Sequence, residues 1–411
     1  MPEPYSRRLF LTGVLACGIT TAGTIYLLPG GRSAPPPPGP VETELRLASG
    51  RDPTGARGLL IEMWNRSNPQ TPVSTDITPS GTRDERLVMQ DLAASGNVDI
   101  VNLDIIHVPE FARKGLITPI TLVDPGEIFE SIRYALRVPD TSDRYWAAPF
   151  NTDVGMLFDR QPEGSDLTEV SLWRTLDRIP AGQAQFVGQL NPDQSTSYEA
   201  FVVNILEHAL SVDPGILTPN GTVSRDLGQW QEALAPLVAA VRAGKVTRSG
   251  NEDQSRQAFR EDSRRRFMRN WPLQYRELQK EGDADARASR IRLSPLDRGV
   301  LGGQNLALVA SSPHPELAKR FIDFMTDRPA QKVLAAYGLA PVRFDVYEDA
   351  DFRMLAPHLG QLRTAVERAR PRPITPNYPQ FSDAVRVHTQ ALLDGGRLTS
   401  EFIDQLQAAL N

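Results

Sequence analysis

Asp104 stands at the end of a near-continuous apolar run made of Val98, Ile100, Val101 and Leu103. Ile105 and Ile106 continue it, and His107 comes next. A run of this kind reads as a strand buried on both faces. A carboxylate at the carboxyl end of such a strand lies where open α/β sheets bind ligands. The competing reading of Asp104 is a structural cap on the helix that starts near Pro109, although Pro109 leaves Asp104 too far upstream for a simple cap. Two more side chains of this type, Asn151 and Asp153, sit in a polar triplet between two apolar halves, Ala147–Phe150 and Val154–Phe158. That pattern suits a segment leaving one domain and entering another. The chemistry these residues provide is recognition by hydrogen bonds. The five histidines (His107, His208, His314, His358, His388) show no HxxxH or HExxH spacing, and Cys17 is the single cysteine. Neither a metal site nor a cofactor is expected, and no disulfide can form within the chain.

The elements that must position these groups alternate along a chain of 411 residues, long enough for two or more domains. A net charge of -5 argues against a nucleic-acid footprint. Strand signals at Leu45–Ala48 and Val73–Thr78 alternate with helix signals at Ala56–Ser67 and Arg83–Ala94 before the run that ends at Asp104. This β-α-β-α-β order predicts an α/β domain with a parallel sheet. Gly299 to Val309, rich in glycine, predicts a second crossing between domains, and Leu339 to Arg343 a third. Further helices are predicted at Tyr198–Leu210, Gln229–Ala243, Pro315–Thr326, Phe381–Leu393 and Ser400–Leu410. The proline-stiffened loop Arg370–Pro379 carries Arg372.

The first 43 residues are of another kind. Ser6-Arg7-Arg8-Leu9-Phe10-Leu11 resembles a twin-arginine export signal, and no charge follows from Leu9 to Leu28. Residues 1–30 read as an export signal, with two competitors: a retained membrane anchor, and a lipoprotein acylated at Cys17, which follows Val14-Leu15-Ala16. Residues 31–43, with the run Ala34-Pro35-Pro36-Pro37-Pro38-Gly39-Pro40, form a stiff proline-rich tether. The expectation is a body held outside the cell membrane.

Seven patterns in order, DIVNLDIIHVPEFARKGLITPI, YWAAPFNTDVGMLFDR, YEAFVVNILE, FMRNWP, LGGQNLALVASSPHPELAKRFIDFMTDRPAQKVL, GLAPVRFDVYED and RPRPITPNYPQFSDAV, resemble the extracellular solute-binding proteins of ABC importers. The nearest group is the maltose/trehalose-type sugar receptors. The resemblance implies a two-lobed, periplasmic-binding-protein-like clamshell of type II, with crossing segments joining the lobes. It implies lobe 1 at 44–151 plus 304–341 and lobe 2 at 154–300 plus 346–411. The solute would sit in the interlobe cleft, held by carboxylates, Asn and Arg and stacked on aromatic faces.

Carried onto this sequence, the resemblance nominates Asp104, His107, Asn151, Asp153, Tyr198, Glu199, Trp271, Gln304 and Arg372. Arg51 and Asp52, in the first strand–helix loop, join them. Several have a structural alternative: His107 as a satisfied, half-buried histidine, Glu199 as a first-turn residue complementing the helix dipole, Trp271 as a core aromatic, Asp153 as a hinge anchor, Arg51 and Asp52 as solvated loop charges and Arg372 as a surface cation. His107 and Gln304 stand where the family often carries stacking tryptophans, which weakens the sugar assignment and admits a smaller, more polar or charged ligand. The function implied is capture of a disaccharide or oligosaccharide for ABC permease subunits by a monomeric protein that catalyses nothing. The rivals are a membrane-anchored sensor of the same fold, a receptor for a non-sugar polar ligand, and a glycoside hydrolase using Asp104 and Glu199.

Overall fold

The computed structural model describes residues 41–77, 85–160, 169–191, 199–287, 290–355 and 358–411. The N-terminal segment with Cys17, and the candidate Tyr198, lie outside these. The described residues build two separate sheets with helices packed around each.

The first sheet holds β1 (Leu45–Ser49), β2 (Val73–Ile77), β3 (Ile100–Asp104), β4 (Ile117–Thr118), β5 (Ala148–Val154), β11 (Val300–Val309) and β12 (Arg370–Pro371). The second holds β6 (Met156–Asp159), β7 (Phe186–Gly188), β8 (Val246–Arg248), β9 (Phe267–Asn270) and β10 (Arg292–Pro295). The period-two pattern of the first sheet feeds two cores. Leu45, Leu47, Ile100, Leu306 and Leu308 point to one face, against Leu60 and Trp64 of helix Ala56–Ser67 and Phe321 of helix Pro315–Thr326. Ala48, Val101, Leu103, Ala307 and Val309 point to the other, with Met89 and Phe111. As the unbroken apolar run predicts, β3 is buried on both faces until Asp104.

The sheet is mixed rather than parallel. β1 pairs in parallel with β2 and β3, as expected, but β11 runs antiparallel to β3, matching Gln304 to Asp104 and Leu308 to Ile100. β11 enters from the second sheet's side, straight after β10, so it approaches β3 from the opposite end. Strand β3 also stops sooner than the run of apolar residues. The His107 N–H donates to the Asp104 carbonyl at 2.9 Å, which turns the chain at Ile105 and Ile106.

Three segments link the two halves side by side. β5 leads through Gly155 into β6. β11 pairs along β5, with Gly302 opposite Asp153 and Gly303 opposite Thr152. Ala340 joins Thr152, whose N–H donates to its carbonyl at 3.0 Å. Gly303 is required here: its φ of 134° is left-handed territory, and a Cβ would lie 2.3 Å from the Asn151 carbonyl oxygen. Gly155 is equally constrained, because a Cβ would meet the buried Glu207 and Arg269 side chains at 2.3 and 2.5 Å.

Candidate functional site

Where the two halves meet, Arg372 leaves β12 and reaches the end of β3. Its Nη2 donates to Asp104 Oδ1 at 3.0 Å and its Nη1 to Glu199 Oε1 at 2.7 Å. Nε donates to the Leu301 carbonyl at 3.3 Å. Glu199 opens helix Glu199–Val212 and also accepts from the Tyr378 hydroxyl and, at 2.7 Å, from Ser382 Oγ. Tyr378 and Ser382 belong to helix Tyr378–Leu393. Burial disfavours the Arg372 charge, yet Asp104, Tyr378 and Glu199 outweigh it and hold the guanidinium above its ordinary pKa. Burial and then Glu199 push the Tyr378 hydroxyl well above its own. Five side chains from three stretches of the sequence thus form one charge-assisted cluster.

Beside it lies a cavity of about 280 Å³. Segments attached to the first sheet supply Pro53, Thr152, Asp153 and Gly338–Ala340; segments of the second supply Glu252, Asp253 and Trp271–Gln274. Trp271 follows β9 directly. Its Nε1 donates to Glu252 Oε1 at 3.1 Å, and the Arg269 guanidinium lies 3.9 Å from the ring centroid. The indole is therefore fixed at its edge and covered on one face. Asp153 is half-buried, and burial pushes its carboxyl up to about 7; Glu252 and Asp104 push the same way and Arg269 opposes them.

Behind Trp271 the chain hides a polar network that sequence reasoning missed. Arg269 and Glu207 are both wholly buried and pair through two bonds, Nε–Oε2 at 2.5 Å and Nη2–Oε1 at 2.9 Å. Gln189 Oε1 accepts from Arg269 Nη1 at 3.2 Å and from Asn204 Nδ2 at 2.7 Å, and Gln189 Nε2 donates to Ser255 Oγ at 2.7 Å. The signal was present in the helix Glu199–Val212. Its residues are buried all round from Ala200 to Ser211, so Asn204 and Glu207 have no polar face to occupy and need internal partners. His208, next to Glu207, is buried too; burial and then Arg269 lower it to about 3, so it is neutral.

The structure brings Asp104, Glu199 and Arg372 together and sets Asp153 and Trp271 on one cavity. Gln304 and Asn151 face each other across β11 and β5, one strand position from Gly303. Asn151 is buried and Gln304 half-buried. Asp52 uses both oxygens within its own loop, accepting from Thr54 N–H and Oγ1 and from the Arg57 N–H. Arg51 beside it is exposed. His107 is half-buried at the start of the short helix Val108–Arg113. Among the described residues no group of acidic, His or Cys side chains could hold a metal ion, and no helix is long and apolar enough to cross a membrane.

Comparison with known proteins agrees with this architecture. Residues 70–358 match the model of a family described as bacterial extracellular solute-binding protein. A probable ABC transporter-binding protein of Deinococcus radiodurans is 27% identical over 329 residues, spanning 72% of this chain and 76% of that protein. Among solved structures, maltose-bound MalE3 of T. maritima superposes with a TM-score of 0.74 at 24% identity, covering 90% of this chain and 99% of the other. The GacH receptor of Streptomyces glaucescens, solved unliganded and with acarbose, gives 0.71 at 18% identity, covering 90% and 97%. With two α/β lobes, linked by side-by-side segments and enclosing a cavity at their junction, the chain belongs to the bacterial extracellular solute-binding protein family.

Proposed function

We propose that this extracytoplasmic protein captures a saccharide or related polyol between its two lobes and presents it to an ABC importer. The observation that carries the reading is the cavity shared by both halves, lined by Asp153 from the first and by Trp271, held by Glu252, from the second. An indole with one free face stacks on the apolar face of a sugar ring, and carboxylates at its margin accept hydroxyl hydrogens. The lobes divide as 44–151 with 304–341 and 154–300 with 346–411. Their closure removes water from these contacts and strengthens them. Solved relatives described as binding maltose and acarbose support a saccharide, and the transporter-binding relative supports a permease partner.

Binding without catalysis is the companion reading. Asp104 and Glu199, the pair that a glycosidase would use, both bond to Arg372. A guanidinium bridging the two carboxylates occupies the space between them that a glycosidic bond would need. The N-terminal 43 residues serve as export signal and tether in this account; the mass of the mature, membrane-associated protein tests that part.

A thermal-shift screen with neutral sugars, polyols, amino acids and short peptides tests the main reading. A solute at a hundredfold excess over its dissociation constant stabilises the native state by about 2.7 kcal/mol. At least one saccharide or polyol is expected to raise the melting temperature in wild type and much less in Trp271→Ala. A response confined to amino acids or peptides contradicts it.

A further inference from the structure

The cavity is small and its charge is one-sided. Its 280 Å³ falls just below the pocket volumes of about 300 Å³ and upward that take drug-sized ligands, so it suits one ring rather than a chain of them. Asp153 faces it from β5, and Glu252 and Asp253 from the start of helix Glu252–Glu261, while no Lys, Arg or His is among its lining residues. The guanidiniums nearby already have carboxylates. Arg269 is held by Glu207, Arg372 by Asp104 and Glu199, and Arg256 by Asp253 and Glu281.

Asp153 and Glu252 are the exceptions: among the described residues neither forms an ion pair. Asp153 Oδ1 accepts only the Val154 N–H, at 3.1 Å, and Glu252 Oε1 accepts the Trp271 indole N–H. The helix dipole accounts for acidic residues at positions 252 and 253. It does not account for Asp153, which sits on a strand, half-buried against the cavity, with its carboxyl pushed up to about 7 chiefly by burial. A neutral hydroxyl would give this carboxylate a hydrogen bond but no opposite charge. An ammonium gives both, and charge-assisted bonds are roughly twice as strong as neutral ones.

Resting on the assignment of this cavity as the solute site, we propose that the solute is a single-ring amino sugar or amine-bearing polyol, with its ring against Trp271 and its ammonium directed at Asp153 and Glu252. This narrows the disaccharide expected from family resemblance to a smaller, cationic ligand.

Titration calorimetry of the full-length protein with glucosamine, galactosamine and mannosamine, each beside its neutral parent sugar and its N-acetyl derivative, and with maltose, tests the assignment. At least one hexosamine should bind about tenfold or more tighter than its neutral and N-acetylated counterparts, and tighter than maltose. Asp153→Asn should erase the amine preference, bringing the affinities for the hexosamine and its neutral parent within about twofold of each other. Glu252→Gln, with its fold checked by melting, provides a second variant with the same expectation. Equal affinity for a hexosamine and its parent overturns the charge assignment, and tighter binding of maltose overturns the size assignment; both leave the saccharide-receptor reading standing. Failure of every saccharide tested, with binding of another solute class instead, overturns that reading itself.

Discussion

Two buried arginines, Arg269 and Arg372, carry the same chemistry in different mechanical settings. Arg269 and its partner Glu207 are both 0% exposed, and both belong to the second half, one on β9 and one on helix Glu199–Val212. Arg372 is 3% exposed, but its partners Asp104 and Glu199 are 28% and 22% exposed and sit on opposite halves, one ending β3 and one opening that same helix. The first pair can break only if the second half unfolds. The second can break when the halves part. A buried ion pair within one body adds little net stability but is costly to leave half-made, whereas one that spans two bodies can report on their relative position.

Removing one partner of the sealed pair should have the largest effect. Glu207→Ala leaves the Arg269 charge buried without its carboxylate and should cost about 3–5 kcal/mol in chemical denaturation, whereas the double change Arg269→Met with Glu207→Leu should recover most of that loss. A single variant as stable as wild type would show that water reaches this network and that the two arginines are not so different.

Trp271 joins the sealed pair to the cavity, since Arg269 lies on its ring. Trp271→Ala should weaken saccharide binding by about 2 kcal/mol, roughly thirtyfold, by calorimetry. If its affinity matches wild type, the stacking wall lies elsewhere.

Asp153 lies between the two centres and feels both, since Arg269 lowers its pKa while Asp104 raises it. Its pKa rises from 3.8 to about 7 on folding, so between these values the native state keeps a proton that the unfolded chain has lost. Stability from this group therefore falls as pH rises from about 4 to about 7, and Asp153→Asn removes the fall. The variant should match wild type near pH 4 and exceed it at pH 8 by on the order of 2 kcal/mol, after allowing for partial exposure. A pH-independent difference between the two proteins contradicts this.

The smallest effect on stability belongs to the spanning arginine. Arg372→Met leaves two partly hydrated carboxylates and should cost about 1–2 kcal/mol. Its signature is conformational: the unliganded variant should show a larger radius of gyration in X-ray scattering, which wild type approaches only as added salt screens the contact. An unchanged radius would mean that Arg372 does not tie the halves together.

Much of this was legible because it is local. The apolar run of β3 announces a strand buried on both faces, and Asp104 ends it. The glycines at 302 and 303 mark a crossing segment, and Gly303 there has a positive φ and the Asn151 backbone packed where a Cβ would lie. What was not legible depends on pairing across the chain. Glu199 and Arg372 are 173 positions apart, and each read alone is a helix-start glutamate or a surface arginine. The antiparallel entry of β11 depends on its arrival from the other lobe, which strand periodicity does not encode. Glu207 and Asn204 were the recoverable miss, because polar residues in a helix with no exposed face have to be paired internally. Pro53 and Glu252 line the cavity without any motif, brought there by the fold alone.

The most direct measurement of the central claim is calorimetric titration of saccharides and polyols into the wild-type protein, with scattering recorded on the same samples. Saturable binding of one solute per chain by a member of this class is expected, accompanied by a smaller radius of gyration, with both lost or strongly weakened in Trp271→Ala. Saturable binding with the same affinity in Trp271→Ala, or binding confined to a different solute class, would contradict it.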